Sequence, residues 1–483
     1  MVFAILVVLG AWVLWKKETP GLHRYDLLLA WGLKIAAAFV FVWVYIHYYG
    51  SGTLTADPDV FIKESAILAA VADHSIADYL RFMVGMETPE MIRHYLSETS
   101  HWTAGDLTLI NDSKNVIRVN SLIHFISGNN SVIHAIVLSF FSLLGFRELY
   151  LAFYKQVRMP DRRLWFLLVA FPSLLFWTGS MLKEPLMIVG LCLVIRGLFD
   201  ELPVGKRSIK LISGILLMLA FKPYVLICLL PAIAVYLTSK FVFRGKILIS
   251  LAVLLSLVVV SLAAFPGKRD DTTYYLTRKQ YDFVNIGRGG LHAYADTCFF
   301  YFRPDQFRYL DIRADSTVYL KRPIVAKQLT LGKASPFKDV YLVPNKVRWF
   351  NYYETNGCKS AIPVTSINAS FTQLVLNIPE AFVNAAFRPF FGDPGGLLKF
   401  PAVVETILLF AFFALQLRHW KNVSQEAKLQ VVTLVSFAFL LFILIGWTTP
   451  VLGAIVRYRI PAYLAVLIAA LILYNQQKKL NHE

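Results

Sequence analysis

A series of about eleven apolar runs, each roughly 15 to 24 residues long, constrains the fold of this chain more than any other feature. A helix rises about 1.5 Å per residue, so runs of this length can cross the bilayer's hydrocarbon core, which is about 30 Å thick. The composition agrees, because 57% of the residues are hydrophobic and only 16% are charged. We therefore predict an all-α polytopic membrane protein with about eleven transmembrane helices. The runs lie near 1–15, 26–49, 132–153, 164–182, 184–199, 208–221, 223–238, 246–265, 400–417, 430–447 and 455–474.

The basic residues are distributed unevenly among the connections between these runs. A formal net charge of +17 could indicate nucleic-acid binding, but Lys and Arg occur in short clusters that are typical of residues orienting membrane helices. We therefore exclude a nucleic-acid partner. The clusters occupy every second connection, which the positive-inside rule assigns to the cytoplasm, with the N-terminus outside and the C-terminus inside. They are Lys16/Lys17/Arg24, Lys155/Arg158/Arg162/Arg163, Lys206/Arg207/Lys210, Lys240/Arg244/Lys246, Arg418/Lys421/Lys428 and Lys478/Lys479.

Two of the remaining, extracytoplasmic connections are long, residues 50–131 and 266–399. The second contains turn signals such as "GRGG" and "NGC" and predicts a small mixed α/β domain inserted before the last three helices. Its end, "FTQLVLNIPEAFVNAAFRPFF", predicts an amphipathic helix in the membrane interface. The predicted organisation is a first membrane part (1–265, with the outer loop 50–131), the extracytoplasmic domain with its interfacial helix (266–399) and a second membrane part (400–483).

Two cysteines of that long connection, Cys298 and Cys358, share a predicted oxidising compartment. They could form a disulfide or remain as two partly buried thiols, and the sequence leaves both possibilities open because it does not show their separation.

Several charged residues break the positive-inside pattern at the predicted outer face. The stretch "FPSLLFWTGSMLKEPLMIVGL" places Lys183 and Glu184 between two apolar runs, where ionisable groups are costly. Because basic residues are usually sparse on this side, we predict that they bind an anion, with Glu184 as a possible catalytic carboxylate. The alternative is that Lys183 pairs with Glu184 or snorkels, and that the arginines anchor a helix end. The predicted anion-binding residues are Lys183, Lys222, Arg388, Arg457 and Arg459.

Two carboxylates follow the second run closely. Asp57 and Asp59 in "TADPDVF" could supply a general base or bind a divalent cation. They could equally stabilise a helix N-terminus, where acidic residues are favourable. The sequence contains none of the motifs that mark ATP binding, zinc proteases or serine hydrolases. By its motifs, the chain therefore belongs to none of these three classes.

The motifs "FPSLLFWTGSMLKE", "FKPY", "FRPFFGDPG" and "VRYRIP" resemble those of uncharacterised multi-spanning proteins encoded with bacterial surface-polysaccharide genes. Those proteins are similar to polyprenyl-linked glycosyltransferases of the GT-C type and to O-antigen polymerases. The resemblance implies a bacterial cytoplasmic membrane protein that transfers sugar from a polyprenyl-linked donor to a glycan acceptor at the extracytoplasmic face. It also implies that Asp57 or Asp59 is the catalytic base and that Lys183, Lys222, Arg457 and Arg459 bind the lipid-linked phosphate. The chain departs from the GT-C type in one respect: that type usually has one helix before the acidic loop, whereas an extra span precedes the loop here.

In the glycosyltransferase interpretation, the outer domain would hold the acceptor, with Trp349, Tyr352 and Tyr353 stacking on sugar rings.

Other classes of function remain open from the sequence. A transporter or flippase for an anionic lipid or solute predicts charged residues within spans, such as Lys34, and paired broken helices, for which the sequence gives no signal. A third possibility is a non-enzymatic membrane scaffold subunit. The sequence identifies neither the sugar, the acceptor nor a metal requirement.

Overall fold

The computed structural model describes residues 1–103, 111–157, 159–295, 298–313, 318–330, 338–344, 351–355 and 357–474. The chain folds into two compact units. The first contains the described residues within 1–233, 415–432 and 467–474, and the second contains those within 234–414 and 433–466. The predicted division at residues 265 and 399 stays a prediction.

The N-terminal part of the first unit is built from helices whose ends follow local signals. Asn111 accepts hydrogen bonds from the backbone N–H of Ser113 and Lys114 and so begins one helix, which ends at Gly128 in the left-handed conformation. Asn130 begins the next helix in the same way. The helices are α1 (Val2–Lys16), α2 (Arg24–Trp43, extended by a π-helical turn to Tyr48), α3 (Ala56–His74), α4 (Ile76–Met83), α5 (Pro89–Tyr95), α6 (Ser100–Thr103), α7 (Asp112–Ser127), α8 (Ser131–Phe153), α9 (Asp161–Val169), α10 (Pro172–Trp177), α11 (Glu184–Phe199), α12 (Val204–Phe221) and α13 (Pro223–Leu237).

Helices α11 and α12 form a tightly packed hairpin. A Cβ atom on Gly214 would lie 2.6 Å from the carbonyl oxygen of Gly190, and one on Gly197 would lie 2.7 Å from the side chain of Leu211. The two helices therefore approach as closely as they do only because these positions have no side chain. The start of α11 and the end of α12 meet at one end of the hairpin, where α12 stops at Phe221 because Lys222 precedes Pro223.

The predicted continuous helix over 164–182 is interrupted. Phe171 is extended, so α9 ends at Val169, and Pro172 begins α10. A second interruption, residues 178–183, separates α10 from α11 and carries Lys183. The predicted run therefore consists of two short helices and a turn.

The second unit contains the described strands and the remaining helices. Five antiparallel strands pair in the order β6-β5-β2-β1-β7, and β3 pairs with β4. Alternate inward side chains, among them Leu291, Phe300 and Ile324, form the buried core of these sheets. The elements are α14 (Ile247–Ala264), α15 (Pro266–Arg288), β1 (Gly290–Ala295), β2 (Cys298–Phe302), β3 (Leu310–Ile312), β4 (Val318–Leu320), β5 (Ile324–Thr330), β6 (Lys338–Leu342), β7 (Asn351–Thr355), α16 (Phe371–Leu376), α17 (Ile378–Ala386), α18 (Lys399–Leu417), α19 (Gln425–Thr448), α20 (Leu452–Tyr458) and α21 (Ile460–Tyr474). Three of these helices, α18, α19 and α21, extend into the first unit.

Six helical segments within the described ranges are long and apolar enough to cross a membrane. They are Arg24–Tyr48, Ser131–Phe153, Pro223–Val242, Ile247–Ala264, Lys399–Leu417 and Gln425–Thr448. Helices α20 and α21 would form a seventh span if counted as one, and they are bent by 50° at Arg459. The mainly helical fold and these candidate spans support a helical membrane protein. The number of eleven spans and their orientation stay predictions.

Candidate functional site

The open end of the α11–α12 hairpin, opposite its connecting loop, holds a buried ion pair. The Lys222 ammonium lies 2.6 Å from the Glu184 carboxylate, and their side chains are 3% and 0% exposed. Lys222 also donates a hydrogen bond to the Tyr224 hydroxyl over 3.1 Å. The expected alternative was a Lys183–Glu184 pair, but Glu184 pairs with Lys222 instead. The charges of these two residues therefore stabilise each other inside the unit.

Lys183 lies beside this pair and faces the N-terminal turn of α7. Its ammonium is 2.9 Å from the Asp112 carboxylate and donates to the Ser113 hydroxyl, also over 2.9 Å. It also lies 5.6 Å from the centre of the Phe61 ring, a cation–π contact. The Lys183 side chain is 11% exposed and that of Asp112 is 35% exposed. Of the two lysines, Lys183 is therefore the more accessible to a ligand.

Helix α3 brings one of the two predicted carboxylates towards Lys183. Asp57 is exposed and lies four residues before Phe61, so both project from the same face of α3. Asp59 points elsewhere and forms a 2.7 Å ion pair with Lys63 on the next turn. Both aspartates are in the first helical turn, where their charge is also favourable for the helix. The geometry therefore favours Asp57 over Asp59 as the carboxylate of this site.

The same face of α3 carries a carboxylate–imidazole pair that the sequence reasoning missed. Glu64 lies 2.9 Å from Nδ1 of His101 and accepts hydrogen bonds of 2.7 Å from the backbone N–H and the hydroxyl of Ser100. Burial raises the pKa of the Glu64 carboxyl, but the hydrogen bonds from His101 and Ser100 outweigh it and hold that pKa below its ordinary value. The ionised carboxylate fixes the tautomer of His101 with the proton on Nδ1. The His101 ring lies 5.7 Å from that of Phe61.

These residues form one cluster within the first unit, which we call the α3–α7–α11 cluster: Asp57, Phe61, Glu64, His101, Asp112, Ser113, Lys183, Glu184, Lys222 and Tyr224. It combines a mostly buried lysine, paired with Asp112, with an exposed carboxylate and a hydrogen-bonded imidazole. The lysine can bind an oxyanion, and the carboxylate or the imidazole can accept a proton. In chemical terms the cluster is suited to the transfer of a group from a phosphate leaving group to a hydroxyl acceptor.

In the second unit, Arg459 is fully buried at the bend between α20 and α21. Its guanidinium donates to the backbone carbonyls of Ala385 and Arg388 and, over 3.0 Å, to the Thr406 hydroxyl. It lies 4.2 Å from the centre of the Tyr463 ring, and the Glu405 carboxylate attracts it electrostatically. The residues next to Arg459 in the sequence, "GAIVRYRIPAYLAV", include no carboxylate. These contacts favour a role in joining α17, α18 and α21 over direct ligand binding.

The two other predicted arginines differ from Arg459. Arg388 forms a 2.7 Å ion pair with Asp393 of its own loop, and its side chain is 22% exposed. Arg457 is mostly buried in α20, with its guanidinium 5.7 Å from the centre of the Tyr458 ring. The backbone next to α20 is fixed by hydrogen bonds between segment 360–362 and segment 450–452.

The predicted anion-binding and catalytic residues are divided between the two units. Within the first unit, the structure brings together Lys183, Glu184, Lys222 and the helix that carries Asp57. Arg388, Arg457 and Arg459 belong to the second unit. In the described part of the chain, no group of three or more His, Cys, Asp or Glu side chains is arranged to hold a metal ion. The divalent cation therefore gains no support from the geometry of Asp57 and Asp59.

Several sequence-based hypotheses concern parts that the structure does not describe. Trp349, Arg158, Lys478 and Lys479 lie outside the described residues. The side chains of Tyr352, Tyr353 and Cys298 also lie outside the description, so sugar stacking and the Cys298–Cys358 disulfide stay predictions.

Comparison of the chain with models of protein families, with curated proteins and with solved structures found no match.

Proposed function

We propose that this protein is a bacterial inner-membrane glycosyltransferase or polysaccharide polymerase that uses a polyprenyl-phosphate-linked sugar donor at the extracytoplasmic face. The observation that carries the proposal is the position of Lys183. The interruption between α10 and α11 places its ammonium next to Asp112, Ser113 and Phe61, and Phe61 lies one helical turn after Asp57 on α3. Ionisable residues at membrane depth often mark functional sites, and this cation at the end of an apolar helix hairpin could also bind the oxyanion of a ligand.

The reaction assigns a distinct role to each group. The acceptor hydroxyl attacks the anomeric carbon of the donor sugar while the bond from that carbon to the phosphate oxygen breaks. Asp57 accepts the hydroxyl proton, and the Lys183 ammonium stabilises the negative charge that returns to the lipid phosphate. The Glu184–Lys222 pair positions the hairpin end that presents Lys183.

The proposed topology follows from the charge pattern. We propose about eleven spans, with the N-terminus outside, the C-terminus in the cytoplasm, and residues 50–131 and 266–399 on the outer side. This orientation puts the α3–α7–α11 cluster at the level of the outer headgroups, where a polyprenyl-linked phosphate presents its charge. The outer residues 266–399 would then hold the glycan acceptor.

Lys183→Ala tests the proposed phosphate contact. In cells whose own copy of the gene is deleted, we expect this variant to abolish surface glycan at normal protein level, because the leaving phosphate loses its cation. Lys183→Arg should keep partial activity, and Asp57→Asn should leave the lipid-linked donor unreacted. Lys63→Ala, which removes an exposed lysine of helix α3, is the control. Wild-type glycan with Lys183→Ala would contradict the proposal.

One observation favours a transporter or flippase as the second candidate. Apolar helices are interrupted in both units, at residues 178–183 and at Arg459, a feature that the sequence reasoning did not detect. In addition, Lys34 is completely buried in a candidate span, where its ammonium donates to the Thr178 hydroxyl next to the first interruption. A transporter should leave its lipid-linked substrate in the inner leaflet when the gene is deleted, whereas loss of the transferase should leave the donor in the outer leaflet.

A further inference from the structure

An apolar groove of about 310 Å³ lies in the second unit. Three phenylalanines of the 387–391 loop form one wall, and helix α18 forms the other with Val403, Thr406, Ile407 and Phe410. These four positions recur at spacings of three and four residues, so they lie along one face of α18 and run parallel to its axis. The groove is therefore elongated along a candidate membrane span.

The floor and the rim of the groove differ in exposure. Val403 and Thr406 on the floor are each 3% exposed, whereas Phe391 and Ile407 on the rim are 60% and 53% exposed. The hydroxyl of Thr406 is engaged with Arg459 and Tyr463 and offers little polarity to the groove. The lining of the groove is therefore suited to bind hydrocarbon.

The position of the groove indicates its occupant. Helix α18 is a candidate membrane span, so lipid chains surround its exposed face in a bilayer. A hydrocarbon chain has no polar groups that would need partners in this apolar lining, so it fits the groove chemically.

Cations lie at one end of the groove. The Arg388 guanidinium is 5.5 Å from the centre of the Phe390 ring, which lines the groove, and its Nε is buried without a hydrogen-bond partner among the described residues. Lys399 at the start of α18 donates to the backbone carbonyl of Asp393, and the Asp393 carboxylate pairs with Arg388. Two cations and one carboxylate leave a net charge of +1 at the point where α18 enters the membrane.

We propose that this groove binds one hydrocarbon chain of an anionic lipid, with the chain along the Val403–Phe410 face of α18 and the phosphate near Arg388 and Lys399. The charge at the loop matches one lipid phosphate, and ends of membrane spans lie at headgroup level. The site is independent of the proposed sugar transfer, since it needs only the second unit's loop and α18.

Photolabelling tests this site. The purified full-length protein, in lipid nanodiscs, is labelled with phosphatidylglycerol that carries a diazirine in its acyl chain, and the labelled peptides are mapped by mass spectrometry. We expect labels within 387–391 and 403–410. Ile407→Trp should reduce this labelling by about tenfold because the indole fills the groove. Leu408→Trp, an exposed neighbour on α18 that does not line the groove, is the matched control and should label as the wild type does.

The headgroup and the source of the chain are tested by competition. Arg388→Gln with Lys399→Gln should abolish the preference for phosphatidylglycerol over phosphatidylcholine while labelling of other helices stays unchanged. Displacement of the photolabelled lipid by polyprenyl phosphate would identify the bound chain as isoprenoid, and displacement by phosphatidylglycerol alone would identify it as acyl. Either result would support an anionic lipid as the occupant. Equal labelling of the wild type and Ile407→Trp, or equal labelling by phosphatidylcholine, would overturn the proposal. Because no transfer is measured, these outcomes do not depend on the proposed reaction.

Discussion

Lys222→Met should destabilise the protein by about 3–5 kcal/mol, because it leaves the Glu184 carboxylate buried without its cation. Glu184→Leu should cost a similar amount for the same reason, with the Lys222 charge left behind. The double variant Glu184→Leu/Lys222→Met should recover most of this loss, since two apolar side chains of similar volume replace the ion pair. The measurement is unfolding of the detergent-solubilised protein for the wild type, both single variants and the double variant.

A surface ion pair provides the control for this cycle. Arg81→Met removes an arginine that is 60% exposed and pairs with Asp78, and it should change stability by less than about 1 kcal/mol. If the double variant loses as much free energy of unfolding as the two single variants lose together, Glu184 and Lys222 do not stabilise each other. The structural account of the hairpin end would then be wrong.

Arg459→Met should have the second large effect, a loss of about 3 kcal/mol or more. The variant removes the donors to the carbonyls of Ala385 and Arg388 and to the hydroxyl of Thr406 and leaves buried acceptors unsatisfied. We also expect faster proteolysis in the 387–399 segment, because Arg459 holds the end of α17 and the following loop against α21. Thermal unfolding and limited proteolysis measure the two effects.

Arg418→Met is the matched control, because Arg418 is an exposed arginine just beyond the end of α18. It should unfold and be cleaved as the wild type is. An Arg459→Met protein with unchanged stability but without glycan synthesis would contradict the structural role of Arg459. That result would instead support the original prediction that Arg459 binds the lipid-linked phosphate.

Much of the helical framework could be predicted from the sequence. The predicted runs 26–49, 132–153, 223–238 and 400–417 match described helices to within a few residues. Hydropathy succeeds here because a segment that must satisfy its backbone hydrogen bonds in lipid becomes a helix. The predicted run 164–182 was wrong as one helix, although Pro172 and Pro185 were signals for its interruptions.

The partners of the charged residues could not be predicted in the same way. Lys183 meets Asp112 of α7, and Glu184 meets Lys222 at the end of α12, over sequence separations that only folding bridges. The nearest carboxylate in the chain, Glu184, was the partner that the alternative interpretation gave to Lys183. Packing at glycines 190, 197 and 214 decides otherwise, because it aligns the start of α11 with the end of α12.

The Glu64–His101 pair was missed because neither residue belongs to a recognisable motif. Glu64 lies three residues after Phe61 and seven after Asp57, a helical spacing that places all three on one face of α3. That periodicity was the available signal. The position of His101 was not available, since it depends on how the short α6 packs beside α3.

The most direct test of the proposed function is the pool of lipid-linked saccharides in cells from which the gene has been deleted. The proposal predicts that a polyprenyl-linked donor accumulates in the outer leaflet, that the wild-type gene restores its use, and that the Lys183→Ala gene does not. Mass spectrometry of extracted lipids, combined with an impermeant reagent that modifies only outer-leaflet sugars, measures both quantity and side. A lipid pool identical to that of the wild type, or accumulation only in the inner leaflet, would contradict a transferase acting at the α3–α7–α11 cluster.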